Sequence, residues 1–469
     1  MSNPTFVAIL MVLVCSCAVG PNYLRPATEV PRSWRIEEAD ARRDINLAWW
    51  EQFNDSVLNG LVAAGLRENL DIRIAAARVE EYYGRFLTTR GGIFPQVSAD
   101  VQATRFRSSQ NGPVPLSPFG KNPANEFQAY GSAGWEIDLW GKFRRATEAA
   151  RADLLSTKEA EKSVVLSLVA SIAGAYIDLR DLDLQLDISR RTAKSREETY
   201  ALFQLQFDKG AISELELNQA KSELEQALSV IPYLEKNISQ QEDALCVLLG
   251  RGPGPIARGK ELDLLSLPVV PAGLPSELLD NRPDIRQAEY DLIAANARIG
   301  VAQASYFPKL SLTGLFGWAS AALSNLLISP SLMWNYSASV AAPVFQGGSL
   351  YGQVRTAKAV RQEAVFNYQQ TILTALRDVE DALIDGKKTK EQFDALQRQV
   401  DALRNAARVA RLRFDNGYTS YIEVLDAQRS LFSAELTLAQ IKGMMFQSLI
   451  SLYKAMGGGW VVEAQKMAR

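Results

Sequence analysis

Residues 207–250 read FDKGAISELELNQAKSELEQALSVIPYLEKNISQQEDALCVLLG, and residues 414–457 read FDNGYTSYIEVLDAQRSLFSAELTLAQIKGMMFQSLISLYKAMG. The second stretch repeats the first at a constant offset of 207, without a gap. Phe207-Asp208 and Gly210 meet Phe414-Asp415 and Gly417. Ser213, Glu216, Ala220, Leu224, Ala227, Gln240, Leu245 and Gly250 meet Ser420, Glu423, Ala427, Leu431, Ala434, Gln447, Leu452 and Gly457. Upstream, Asp71-Ile72-Arg73 recurs as Asp284-Ile285-Arg286 and Phe94-Pro95 as Phe307-Pro308, both at an offset of 213. Self-similarity over this length marks a tandem duplication, so the architecture is read as two copies of one unit. The copies take residues 55–250 and 276–457, joined by a Gly/Pro-rich linker at 251–275 and followed by a tail at 458–469.

Each copy shows the same order of elements. A helix of moderate length comes first, over Asp55–Arg90 and Pro283–Tyr306; Pro283 suits a first helical position, and Phe-Pro stops each helix. Two strands follow. Val97, Ala99, Val101 and Ala103 alternate with polar residues, as do Phe127, Ala129, Gly131, Ala133, Trp135 and Ile137. In the second copy the rows are Leu310, Leu312, Gly314, Phe316, Trp318 and Trp334, Tyr336, Ala338, Val340, Ala342. This period of two gives each strand one apolar and one wet face. The intervening loops are residues 108–125 and 319–333. A long helix comes next, over 143–208 and 351–415, with apolar residues at three- and four-residue steps from Val165 to Leu186. That spacing predicts coiled-coil packing, and about 65 residues at the helical rise span roughly 100 Å. A returning helix takes residues 214–249 and 421–456. Pro232 is expected to kink or split the first of these.

Composition excludes several functions. The chain has 469 residues, 51 Lys+Arg against 53 Asp+Glu, and a net charge of −2. That balance argues against nucleic-acid binding by bulk electrostatics. Apolar residues make up 47% of the chain, too many for disorder. There is no histidine, which removes His triads, His-ligated zinc and proximal haem ligands. Three cysteines, Cys15, Cys17 and Cys246, cannot build a four-ligand metal site or a disulfide framework. Gly254-x4-Gly259-Lys260 looks superficially like a phosphate-binding loop, but Glu261 stands where Ser or Thr is required and Pro255 has no amide donor. No cofactor, no metal site and no catalytic constellation are expected.

The first residues read as a processing signal. Phe6–Val14 is a nine-residue apolar run, too short to span a bilayer. Val14-Cys15-Ser16-Cys17 resembles a bacterial lipobox, so residues 1–16 are read as a lipoprotein signal and 17–54 as a lipid-anchored segment with acyl chains on Cys17. An ordinary cleaved signal with a chance cysteine stays open. No other stretch approaches 18 uninterrupted apolar residues. If the chain crosses a membrane it does so as a closed β-barrel. Four strands cannot close one, since transmembrane barrels need at least about eight, and an open sheet in lipid leaves unsatisfied edges. Several chains must share a barrel: two chains give eight strands and three give twelve.

The duplicated plan resembles the TolC family of outer membrane factors, and within it the lipoprotein branch of OprM-like and NodT-like efflux channels. The residues that carry the resemblance are Ala18-Val19-Gly20-Pro21-Asn22-Tyr23 with Arg25-Pro26, Asn281-Arg282-Pro283-Asp284-Ile285-Arg286-Gln287-Ala288-Glu289, Tyr306-Phe307-Pro308, Pro343-Val344-Phe345 and Leu425-Asp426-Ala427-Gln428-Arg429-Ser430-Leu431. It covers essentially the whole mature chain. It implies an α+β membrane protein: a trimeric twelve-stranded β-barrel, four strands per chain, continuous with a long coiled-coil α-helical barrel in the periplasm. The implied place is the outer membrane of a Gram-negative bacterium, lipid-anchored and extending into the periplasm. The implied function is the passive outer membrane duct of a tripartite efflux system. Its implied partners are two further copies, a periplasmic adaptor, an inner-membrane pump of the resistance–nodulation–division, major-facilitator or ABC type, and outer membrane lipid. A channel for type I protein secretion and a non-pore periplasmic scaffold stay open as alternatives.

Site residues follow from these readings. Gly210 and Gly417 suit left-handed C′ positions, and Ser213-x-x-Glu216 and Ser420-x-x-Glu423 read as capping boxes. In the resembled family these turns meet the adaptor, which makes Gly210, Ser213, Gly417 and Ser420 the candidate contacts. The resemblance places a periplasmic gate at Asp426 and Arg429, with Ile422 and Glu423 beside them. Without the resemblance, Asp426 and Arg429 are an i,i+3 surface pair of small worth. Trp135, Trp140, Trp318, Trp334 and Tyr336 suit an aromatic girdle at the membrane interface, with ordinary strand packing as the competing reading.

Overall fold

Asp55 opens the first helix as its cap. Its carboxylate accepts from the backbone N–H of Val57 at 2.8 Å and of Leu58 at 3.3 Å, filling donors that a helix start leaves open. The helix, Ser56–Glu68 (α1), stops at Asn69, and Leu70–Gly91 (α2) begins. The Asn69 side chain accepts from Asp71 and Ile72 N–H at 2.8 and 3.1 Å and donates to the Leu248 carbonyl at 2.9 Å. The single helix expected over 55–90 is thereby corrected to two, because an amide side chain at 69 takes the bonds that would carry the helix through.

The computed structural model describes residues 18–28, 30–36, 48–109, 111, 121–267, 275 and 278–457. The signal at 1–16, the lipid site Cys17 and the tail at 458–469 lie outside the described residues. After α2 come Gln96–Phe106 (β1), Ala124–Ile137 (β2), Lys142–Asp208 (α3) and Glu214–Leu248 (α4). The second copy has Pro283–Ala304 (α5), Lys309–Ser320 (β3), Leu332–Ala341 (β4), Ser349–Asp415 (α6) and Tyr421–Ala455 (α7). The long helices have 67 residues each and the returning helices 35 each. Pro232 lies inside α4 and does not split it; the helix runs on past the missing amide. One window of α3 is as apolar as a membrane helix, with mean hydropathy 1.5, but 61% of it is buried within the protein.

The four strands form one antiparallel sheet in the order β1-β2-β3-β4. The register sets Val101 against Ala129 and Ala129 against Trp318, and sets Gly131 against Phe316 and Phe316 against Trp334. Paired residues share a face, so all four apolar rows fall on one side. Ser98, Ser132, Thr313 and Ser337 fall on the other, where the hydroxyls of Ser98 and Ser132, and of Thr313 and Ser337, approach to 2.7 Å. A one-residue slip would send every apolar side chain to the wet side. In a single chain both faces are largely open: Val97 is 78% exposed, Trp334 64% and Tyr336 79%. With 10 to 14 residues, the strands reach the length needed to cross a bilayer. β1 and β4 each have one edge unpaired among the described residues.

By packing, the chain divides into two compact units, and each draws on both copies. One contains the sheet and comprises residues up to Ala27, Arg78–Thr157 and Ala288–Tyr368. Here the N-terminal motif meets the second copy. Tyr23 donates to Glu289 at 3.0 Å, Arg25 pairs with Glu289 at 2.9 Å, and Asn296 donates to the Pro21 carbonyl at 2.8 Å. The other unit comprises Thr28–Ala77, Lys158–Gln287 and the chain from Gln369 on. In it Trp49 stacks on Tyr453, ring centroids 4.7 Å apart. Asp55, 1% exposed, also accepts from the Tyr176 hydroxyl at 2.9 Å and from Lys260 N–H at 3.0 Å. The Gly259 amide donates to the same Tyr176 oxygen at 2.9 Å. Two backbone donors of the false phosphate loop, at Gly259 and Lys260, are therefore already used within the protein.

Candidate functional site

Both hairpin turns close in the same way. At Gly210 and Gly417, φ is 72° and 76°, a conformation open to glycine without a Cβ penalty. The Gly210 and Ala211 amides donate to Phe207 and Gln206 carbonyls, both at 2.8 Å. The Gly417 and Tyr418 amides donate to Phe414 and Arg413, both at 2.9 Å. These are paired Schellman bonds, which occupy the carbonyls a helix end leaves open. The capping boxes differ. Ser213 and Glu216 form theirs in full. Ser420 caps without a side-chain bond, and Glu423 turns instead to Arg413 at 3.4 Å. The second capping box is thus corrected: a cation on the preceding helix captures the acid that the motif assigns to the backbone.

The turns are anchored on a small core. Phe203, Leu217, Ala220, Tyr421, Val424 and Leu425 are all buried together. The Phe203 and Tyr421 rings lie 4.4 Å apart and those of Phe414 and Tyr421 5.3 Å apart. Burying Tyr421, Val424 and Leu425 fixes the rotation of α7. Ile422, Asp426 and Arg429, at i, i+4 and i+7, then share the exposed face, with Glu423 beside them.

Arg429 does not pair with Asp426. Its guanidinium takes Glu223 of α4, Nε at 3.1 Å with Nη2 also engaged, and this bond holds Arg429 above its ordinary pKa. The surface i,i+3 pair is corrected to a long-range one, because Glu223 is 5% exposed and already beside a second cation. That cation is Arg196 of α3, also 5% exposed, with Nη2 at 3.1 Å from the carboxylate and Nη1 donating to the Glu223 carbonyl at 2.6 Å. Burial pulls Arg196 below its usual pKa and the Glu223 charge opposes that pull. Arg196 also lies over the Phe432 ring at 5.1 Å. One buried carboxylate on α4 thus holds two arginines, Arg196 of α3 from the first copy and Arg429 of α7 from the second. Sequence reasoning missed Glu223 and Arg196. The repeat equivalent of Glu223 is Ser430, so the duplication carries no signal for it.

The aromatic residues fall into different settings. Trp318 and Trp334 sit in the strands near the β3–β4 loop, on the apolar face. Tyr336 stacks on Trp334, centroids 5.5 Å apart, and covers Gly314 across the pair. Trp135, near the other end of β2, donates to the Ile93 carbonyl at 2.9 Å. Trp140 lies beyond β2, stacks on Phe307 at 4.7 Å and donates to the Pro308 carbonyl at 2.7 Å. It is a packing residue of the Phe-Pro turn.

Comparison with known proteins settles what this assembly of parts is. Residues 61–251 and 274–458 match the family described as outer membrane efflux protein. The chain belongs to that family. It is 33% identical over 449 residues to the cation efflux system protein CusC of Escherichia coli O6:H1, covering 95% of this chain and 96% of that one. It is 34% identical over 462 residues to the toluene efflux pump outer membrane protein TtgC of Pseudomonas putida, covering 97% and 95%. Its structure matches the CmeC outer membrane channel of Campylobacter jejuni with a TM-score of 0.90 at 25% identity, over 97% of this chain and 98% of that one. The chain is an outer membrane efflux channel of a Gram-negative bacterium, reaching into the periplasm. Its four strands are one third of a trimeric twelve-stranded barrel, and its long helices belong to the periplasmic helical barrel. The family is one of channels.

Proposed function

We propose that this channel is a passive duct for small molecules, anchored by lipid on Cys17, and closed at its periplasmic end by the Arg196–Glu223–Arg429 lock with Asp426 and Ile422 on the same α7 face as Arg429. The duct does no chemistry of its own and is served by a periplasmic adaptor and an energised inner-membrane pump. The observation that supports the gate is the bond from Arg429 to a carboxylate on another helix. Surface ion pairs within one helix do not restrain neighbouring helices, whereas a bond between α7 and α4 does. In a trimer the lock occurs three times around the pore, and a ring of Asp426 carboxylates there attracts cations. The small-molecule reading is supported by the relatives CusC, a cation efflux system protein, and TtgC, a toluene efflux pump outer membrane protein. The test is single-channel conductance in planar bilayers. Asp426→Ala with Arg429→Ala should raise conductance above that of the wild type and reduce cation preference; an unchanged conductance and ion preference would remove the gate reading.

A further inference from the structure

The seam between the two copies inside one chain is a template for the seam between chains. Inside the chain, β2 of the first copy pairs with β3 of the second, Ile137 opposite Leu310. Just past β2, Trp140 stacks on Phe307 at 4.7 Å and donates to the Pro308 carbonyl at 2.7 Å. Beyond that turn α3 meets α5, where Ser156 donates to Asp291 at 2.6 Å. Each part has a counterpart in the other copy. Phe94-Pro95 stands for Phe307-Pro308, and α2 for α5, both at an offset of 213; the two helices have 22 residues each. α6 stands for α3 at an offset of 207, with 67 residues each. Gly348, with φ of 83°, falls on Gly141, with φ of 77°. Gln346 and Gly347 are extra residues in the second copy, so Phe345 falls on Trp140 at an offset of 205.

These counterparts lie bare in the single chain. Phe94 is 53% exposed and Phe345 89%, whereas Trp140 and Phe307 are half-buried. α2 buries Ala75 alone, whereas α5 buries Ile285, Leu292 and Ile299 among others. Arg78 and Glu363 fall on Asp291 and Ser156. Both are exposed, of opposite charge, and without a partner among the described residues. β1 and β4 are the edges that close the barrel, so what covers these residues is another copy of the chain. We propose that Phe345 of each chain seats on Phe94-Pro95 of the next, and that Glu363 pairs with Arg78 and Ala338 lies opposite Val101 of that same next chain. The register follows from Ile137 and Leu310, whose offsets of 205 and 213 set Ala342 opposite Val97 and, four residues along, Ala338 opposite Val101. It places the apolar rows of β4 and β1 on one side, which a one-residue slip would not allow. One part of the template is missing between chains. Phenylalanine has no ring N–H, so Phe345 gives the Pro95 carbonyl no bond, and that joint holds by apolar contact alone.

Cysteine pairs in the assembled trimer read the register. Val101→Cys with Ala338→Cys should link chain to chain on mild oxidation and give a covalent trimer in denaturant, while either variant alone gives none. Val101→Cys with Tyr336→Cys, or with Val340→Cys, should link far less; equal linking by either pair overturns the register. The midpoint of heat dissociation of the trimer reads the joint. Phe345→Ala should lower it. Phe345→Trp should raise it above the wild type, because an indole supplies the donor that Trp140 supplies inside the chain, and the gain should shrink in a Phe94→Ala background. Arg78→Glu should lower the midpoint, and adding Glu363→Arg should recover it. An unchanged midpoint in Phe345→Ala means that the ring faces lipid or water instead of the next chain, and overturns the joint. So does a Phe345→Trp trimer no more stable than the wild type. A charge swap no better than Arg78→Glu alone overturns the ion pair.

Discussion

Glu223→Gln should cost far more stability than Arg429→Ala, although both should open the pore. The two ends of the lock are unequal. Arg429 is 55% exposed on its side chain, whereas Arg196 and Glu223 are 5% and 6% exposed. An exposed pair contributes about 0–1 kcal/mol, so Arg429→Ala removes little. Stripping the counter-charge from a buried cation costs about 3–5 kcal/mol. Arg196 keeps its 2.6 Å bond to the Glu223 carbonyl and its place over Phe432 in the Gln variant, which lowers that figure to about 2–3 kcal/mol. The assay is the midpoint of heat dissociation of the trimer, ranked across variants in one detergent, together with conductance in bilayers. The expected order is wild type close to Arg429→Ala, then Glu223→Gln well below, with both variants more conductive than the wild type. The double variant should be no less stable than Glu223→Gln alone, since the Arg429 bond is already gone. If Arg429→Ala falls as far as Glu223→Gln, the assignment of the energy to the buried end is wrong.

Two further predictions concern the polar groups inside the helical unit. Burial pushes the Asp181 carboxyl up to about 6, with Gln185 pulling it down and Asp178 adding to the rise; one of its oxygens is buried without a bond. A folded-state pKa raised above the unfolded value of about 4 gives a contribution complete below that value and lost as pH rises through 6. Asp181→Asn should therefore flatten the stability profile between about pH 4 and 6 and raise stability at neutral pH by on the order of 2 kcal/mol; midpoints measured across that range check it, and a profile parallel to the wild type would count against it. Asp55→Ala removes a helix cap and strands the Tyr176 hydroxyl and the Lys260 amide, a loss of about 3 kcal/mol, which limited proteolysis of the linker near Lys260 should report as faster cleavage.

The helical hairpins were legible because their signals are local and occur twice. Gly210 and Gly417 stand where the chain must adopt a left-handed turn, and the structure adds paired Schellman bonds at both. The strand pattern was legible for the same reason, since alternation within ten residues fixes which side is wet. The break at Asn69 was readable in principle: an amide just before Leu70-Asp71 is a helix-start signal, masked by apolar periodicity on either side. The lock was not legible. Glu223 and Arg429 are 206 residues apart in sequence, and nothing near either residue names the other. Glu423 shows the converse, because its local motif promised a cap and a neighbouring helix's Arg413 won the carboxylate. Asp55 looked like the ordinary start of a helix, and only the folded chain brings Tyr176 and Lys260 to it.

The unequal edges of the sheet have a genetic consequence. β1 comes from the first copy and β4 from the second, so a barrel of three chains closes head to tail, each β4 meeting the β1 of the next chain. Such a joint is heterologous: one edge can be ruined while the other still pairs. A chain damaged only along β1 would still enter an assembly through its β4 and leave a gap in it. In a cell making equal amounts of damaged and normal chains, about one ring in eight would contain none of the damaged form. Loss of a single edge is therefore dominant in effect wherever damaged and normal chains are made together.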